Sequence, residues 1–172
     1  GEVVEGPFLS AKQTVRDYRM EERIEVRFGD GLQILSKEDE ITAITICGMG
    51  GELISRILEA GYSGGHLSGE ERLILQPNVA EHFVREWLMN HSYRITHETV
   101  VEDNHRLYEI IVAEPVEERV EYTELEIKYG PILLQHPSEF SVAKWTRMNR
   151  KNKEILEQLQ KSKTPQHEKI EQ

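Results

Sequence analysis

A change of rhythm after Asn90 constrains this chain more than any other feature. Before it, strand-like and helical stretches alternate. After it, residues 93–102 and 106–115 are both strand-like, and only Asp103, Asn104 and His105 lie between them. That gap is too short for a crossover helix, so the two form an antiparallel hairpin. Upstream, Phe8, Ala11, Val15 and Tyr18 share one helical face behind Gly6 and Pro7. Residues 24–28 alternate strictly and predict a strand. Gly29, Asp30 and Gly31 then turn the chain into a short helix carrying Leu32, Ile34 and Leu35. Residues 41–47 are rich in β-branched types and predict a strand covered on both faces, with Cys47 packed in the core. Leu53, Ile54, Ile57 and Leu58 mark a helix that ends at Gly61. Residues 72–75 form the next strand, and Phe83, Val84, Trp87 and Leu88 mark the next helix. The fold class expected is α/β, a mostly parallel sheet closed by one reversed strand.

From Tyr122 onward the pattern is helical, broken at Gly130, Pro131 and Pro137, with Ser138 and Ser141 as candidate caps. A long helix carries Val142, Trp145, Met148, Ile155, Leu156 and Leu159. It is expected to stop at Thr164 and Pro165, with a second helix starting near His167. The chain divides into a domain over 1–120 and a helical extension over 121–172.

Charge divides further along the chain, at residue 141. The 172 residues carry a net charge of −10, but residues 141–172 are net +4 and the remainder net −14. Lys144, Arg147, Arg150, Lys151 and Lys153 fall in ten positions without an acid. Set against the acidic body, they make a candidate contact for a nucleic-acid backbone; the plainer reading is a solvated helix face. The single cysteine excludes an internal disulfide, and a cytoplasmic location is expected. The seven histidines show no metal-ligand spacing, so no metal is predicted. Val3 and Val4 read as the end of a strand already under way, and the last six residues as the start of a helix without a stop signal. The chain is therefore expected to be part of a longer one.

In open α/β sheets, ligands bind outside the carboxyl ends of the strands. Four clusters fall at such ends: Glu2; Gly29, Asp30 and Gly31; Gly48, Met49, Gly50 and Gly51; and Gln76, Pro77 and Asn78. A carboxylate after a strand can accept both hydroxyls of a ribose. Asp30 can accept from an adenine amino group, and its flanking glycines let backbone approach a flat ring. Asn78 offers a donor and an acceptor to a nucleobase edge. Helix capping is the alternative role for Asp30 and Asn78.

These strings, with Leu73-Ile74-Leu75 before Gln76, Arg85-Glu86-Trp87-Leu88 and Leu107-Tyr108-Glu109-Ile110, resemble the bacterial TrmK family of tRNA (adenine(22)-N1)-methyltransferases over residues 1–160. The resemblance implies a class I, Rossmann-like methyltransferase sheet of order 3-2-1-4-5-7-6 that lacks its first strand here, with a C-terminal helical, coiled-coil-like extension. It implies S-adenosylmethionine as cofactor and tRNA as substrate. Glu2 would bind the ribose; Gly29, Asp30, Gly31 and Leu32 the adenine; Gly48, Met49 and Gly50 the methionine part. Gln76, Pro77 and Asn78 would border the target base and carry catalysis. With the family's first strand and cofactor loop missing, the chain alone is expected to be inactive. The segment around Val26 should stand about 14 Å from that around Ile44, three strand spacings away. Two other readings are a nicotinamide-dependent oxidoreductase, which lacks a visible G-x-G-x-x-G, and a non-catalytic RNA-binding fragment.

Overall fold

The structure is a computed structural model that describes the backbone of residues 1–167 and the side chains of residues 1–160. Ten elements matter: α1 (Glu5–Asp17), β1 (Ala43–Met49), α2 (Gly51–Ser63), β2 (Arg72–Pro77), α3 (Glu81–Asn90), β3 (Tyr93–Asp103), β4 (Arg106–Pro115), α4 (Glu124–Tyr129), α5 (Pro131–Gln135) and α6 (Glu139–His167). The four strands form one sheet of order β1-β2-β4-β3. β1 and β2 are parallel, and β4 runs antiparallel to both β2 and β3. This is the 4-5-7-6 half of the expected order. The hairpin closes through Asn104 and His105 alone, at φ 48° and 61°. Two successive left-handed residues give the twist a two-residue hairpin turn needs.

The core lies where α2 and α3 meet the sheet. Ile54, Leu58 and Gly61 bury one face of α2, at the spacing a helix stripe requires. They meet Val84 and Leu88 of α3 and Leu73, Leu75 and Ile111 of the sheet, and these five side chains, like those of Ile54 and Leu58, are fully buried.

Two strand expectations and one helix end need correction. Residues 24–28 form no strand; a single parallel bridge joins Phe28 to Glu2. A strand is stable only when a neighbour completes its ladder, and one bridge does not. Among the described residues β1 pairs only with β2, and not with residues 24–28. β1 is also not covered on both faces: Ile44 and Ile46 are buried while Thr45 and Cys47 are exposed. Cys47 is thus a surface residue. At the other end, the α6 backbone helix continues past Pro165 to His167. A proline removes one ladder donor, and here that loss does not end the helix. The second helix expected beyond His167 lies outside the described residues.

Arg27 staples the loop after the bridge. Its guanidinium donates to both Asp39 oxygens at 2.5 and 2.6 Å and to the Ile34 carbonyl at 2.8 Å.

The helical extension is held by buried charge. Arg85 of α3 is completely buried. It donates to Glu98 of β3 at 2.8 Å, to Glu109 of β4, and to the Ile127 carbonyl of α4 at 3.2 Å. Burial alone would lower its pKa; Glu109 and Glu98 outweigh that and hold it above the ordinary value. Glu98 also accepts the first free amides of α5, Ile132 at 2.9 Å and Leu133 at 3.3 Å. Ser138 and Ser141 cap α6 reciprocally, with N–H to Oγ distances of 2.9 and 3.1 Å. Trp145 lies half-buried, edge-on to Tyr129 at 5.6 Å.

Gly130, between α4 and α5, has φ 92°, and a Cβ there would stand 2.6 Å from Glu98 Oε2 and 2.9 Å from the Arg85 guanidinium. Gly130→Ala is expected to cost at least about 2 kcal/mol, from backbone strain and disturbed buried charge. A lowered urea midpoint checks it. The second prediction concerns acid. Arg27 holds the Asp39 carboxyl below its ordinary value of 3.8. The contribution of Asp39 is therefore present above that pH and fades as pH falls through the lower folded value. The urea-midpoint difference between wild type and Asp39→Asn should be full at neutral pH and shrink below pH 3.8.

Candidate functional site

The four clusters expected at strand ends come together as two pairs, although only the last two in sequence follow strands. In the first, Gly48 interrupts the register between β1 and β2: Cys47 pairs with Gln76 and Met49 with Pro77, and Gly48 bulges between them. Its φ of +81° suits glycine, and a Cβ there would meet nothing within 4 Å. The bulge is closed by three hydrogen bonds. The Gly48 amide donates to Gln76 Oε1 at 2.9 Å, Gln76 Nε2 to Asn78 Oδ1 at 3.0 Å, and Asn78 Nδ2 to the Gly48 carbonyl at 2.8 Å. Backbone bonds carry the pairing past the strand ends, from Asn78 to the Met49 carbonyl and from Gly51 to the Val79 carbonyl, both at 2.8 Å. A Cβ on Gly51 would sit 2.1 Å from the Ala80 oxygen, so only glycine allows α2 to start this close to the second loop. Pro77 is fully buried beneath the pair. Asn78 does not cap α3, whose N-cap is Ala80.

The second pair joins Glu2 to the loop after Phe28. The Glu2 amide donates to Arg27 and its carbonyl accepts from Gly29, at 3.1 and 3.0 Å. The Glu2 carboxylate accepts through Oε1 from Val3 and Val4, at 2.9 and 3.2 Å, where α1 begins. Oε2 has no partner among the described residues. Asp30 precedes the 3₁₀ turn Gly31–Ile34 without capping it, and its carboxylate is exposed. Capping therefore explains neither Asp30 nor Asn78.

Helix α2 links the two pairs. Gly50 precedes its first turn, while Gly31 packs near Ile57 and the buried Leu32 against Gly61. Seven residues of helix separate Gly50 from Ile57, about 10 Å. A cleft of about 270 Å³ runs between the 30–33 loop and Leu53, Arg56, Ile57 and Gly61. One end of this surface thus offers carboxylate oxygens, and the other offers neutral amides and a backbone bulge. Met49, Val79 and Phe83 are exposed apolar residues on the amide side.

The basic window splits. Arg147, Arg150, Lys151 and Lys153 are exposed on α6, with Arg150 3.9 Å from Glu154. Lys144 instead turns inward, where it binds Glu81 at the start of α3 and Glu109 at 2.8 Å. Its ammonium is thus paired with two carboxylates, unlike the other four basic residues of the window. The sequence reading missed this network. Its signal was a charge at an inward-facing position: Glu109 in β4, and Arg85 beside Val84 and Leu88 in α3.

The family model described as tRNA (adenine(22)-N(1))-methyltransferase, TrmK, matches residues 1–172. The Bacillus subtilis (strain 168) enzyme of that name is 40% identical over 163 residues, covering 92% of this chain and 67% of the relative. The crystal structure of the B. subtilis M1A22 tRNA methyltransferase TrmK superposes with a TM-score of 0.83 at 40% identity, over 91% of this chain and 67% of that one. Streptococcus pneumoniae Sp1610 in complex with S-adenosyl-L-methionine gives a TM-score of 0.85 at 41% identity, over 93% of this chain and 73% of that one. With α2 and α3 packed on a 4-5-7-6 sheet and every strand-end motif in sequence, the chain belongs to the TrmK family of tRNA (adenine(22)-N(1))-methyltransferases.

Proposed function

We propose that the protein transfers a methyl group from S-adenosylmethionine to N1 of adenine 22 in tRNA. The observation that carries this reading is the meeting of four predicted ligand-edge segments in two hydrogen-bonded pairs flanking α2, one at the ends of β1 and β2 and one at the Glu2–Phe28 bridge.

The residues present fit the cofactor. Glu2 retains an unpartnered carboxylate oxygen for ribose hydroxyls, and Asp30 an uncapped carboxylate for an adenine amino group. Gly29, Gly31 and Leu32 would border that ring. Gly48, Met49 and Gly50 would flank the methionine part, where Gly48 leaves open space. When bound, S-adenosylmethionine supplies a methyl group on a positively charged sulfur.

Adenine N1 carries its own lone pair, so no side chain has to remove a proton before attack. Gln76, Pro77 and Asn78 contribute by holding the base in line and excluding water, and alignment of this kind is a large part of catalysis. Asn78 keeps one N–H and one lone pair beyond its bonds to Gly48 and Gln76. On α6, Arg147, Arg150, Lys151 and Lys153 would contact the tRNA backbone. The substrate points to the cytoplasm, and no helix among the described residues is long and apolar enough to cross a membrane.

The reading is tested by methyl incorporation into unmodified tRNA, with the full-length protein. Binding of S-adenosylhomocysteine but not NAD is expected. Asn78→Ala should lower kcat/KM roughly 100-fold, the scale of losing a well-placed polar contact and the bulge it supports. Unchanged transfer would remove Asn78 from the site. Arg147→Glu with Arg150→Glu should raise KM for tRNA and flatten its salt dependence, leaving kcat largely intact.

A further inference from the structure

We infer that Gln76 is a positioning residue that fixes which end of the Asn78 amide faces which way, and so makes Asn78 an acceptor for the N6 amino group of the target adenine. The inference rests on the methyltransferase reading above and adds to it a source of purine discrimination.

The two ends of an amide side chain are nearly alike in shape, and their assignment must come from the surrounding hydrogen bonds. Here the assignment is forced. The Gly48 N–H can only donate and the Gly48 carbonyl can only accept. The N–H meets Gln76 Oε1, so Gln76 turns Nε2 to Asn78; the carbonyl meets Asn78 Nδ2, so Asn78 turns Oδ1 to Gln76. Only this arrangement satisfies all three contacts. Flipping Asn78 alone places two oxygens together at Gly48 and two amino groups together at Gln76.

Adenine N1 must stay free to attack, so recognition falls on other atoms. The N6 amino group is a donor beside N1, and the remaining lone pair of Asn78 Oδ1 is an acceptor that suits it. Guanine presents an oxygen at the same place and would be repelled. Nothing charged takes part: Gln76 and Asn78 are both neutral, and the nearby Glu81 is engaged by Lys144.

The test compares Gln76→Ala with Gln76→Glu. The glutamate variant keeps the shape and can still accept from the Gly48 amide, so a merely structural role makes it the milder change. If Gln76 sets the Asn78 amide, it is the worse change, because a carboxylate oxygen opposes Asn78 Oδ1 and forces it to turn. The expected order of kcat is therefore wild type, then Gln76→Ala, then Gln76→Glu, with S-adenosylhomocysteine affinity changed less than about threefold. The second readout uses tRNA carrying purine, which lacks the N6 amino group, in place of adenine 22. The adenine-to-purine ratio of kcat/KM should be about tenfold larger in wild type than in Gln76→Glu or Asn78→Ala. Because each ratio is taken within one variant, it is independent of how much of that variant folds. A Gln76→Glu enzyme milder than Gln76→Ala, or equal ratios in all three proteins, would overturn the inference. No transfer by wild type to any tRNA would instead overturn the methyltransferase reading beneath it.

Discussion

A guanidinium with no access to water holds the two parts of this molecule in register. Arg85 lies in the helix that follows the Gln76–Asn78 loop, and its partners come from both strands of the hairpin and from the α4 backbone. Desolvating such a group is costly, and several partners are needed to offset it. Glu98 and Glu109 supply opposite charge, and each passes the connection on. Glu98 accepts the amides that open α5, and Glu109 receives Lys144 from α6. Removing one partner would leave a buried charge unmatched, and the cluster packs so closely against Gly130 that a Cβ there would stand 2.6 Å from Glu98 Oε2.

The ends of β1 and β2 are organised by the opposite kind of chemistry. At the ends of β1 and β2, neutral amides and backbone groups satisfy one another around Gly48. A neutral arrangement suits a reaction whose nucleophile already has a lone pair and whose electrophile is cationic. A fixed negative charge at this point would favour the bound cation over the dispersed charge of methyl transfer. Rigidity and neutrality there serve the same end under the proposed reaction, where a base must be held at a set angle. Lys144 joins the two chemistries, since Glu81 begins α3 only three residues after Asn78.

Local periodicity made most of the sheet and its helices legible. β1, α2, β2 and α3 stand close to where their apolar spacing put them, and the hairpin followed from a gap of three residues. The clusters at strand ends were legible because ligand edges collect Gly, Asp and Asn at such turns. What escaped was non-local. Residues 24–28 have a strand pattern but only a single bridge. Cys47 sits in an apolar run yet faces outward, because cover on a sheet face is decided by other elements. Lys144 looked like its basic neighbours, and only the fold shows that it turns toward two acids. Charge along a helix says how many cations are present, not which face each one takes.

The interlocked ion pairs at Gly130 also bear on how such a chain can be recombined. The helical extension is not a detachable cassette, although the change to a purely helical pattern after about residue 120 suggests one. Its docking surface is written partly in α3 and the hairpin, as Arg85, Glu98 and Glu109, and partly in the extension, as the Gly130 turn and Lys144. A hybrid that joins halves from two relatives at that seam inherits a lock from one parent and a key from the other. Recombination that preserves function must move these five positions as a set.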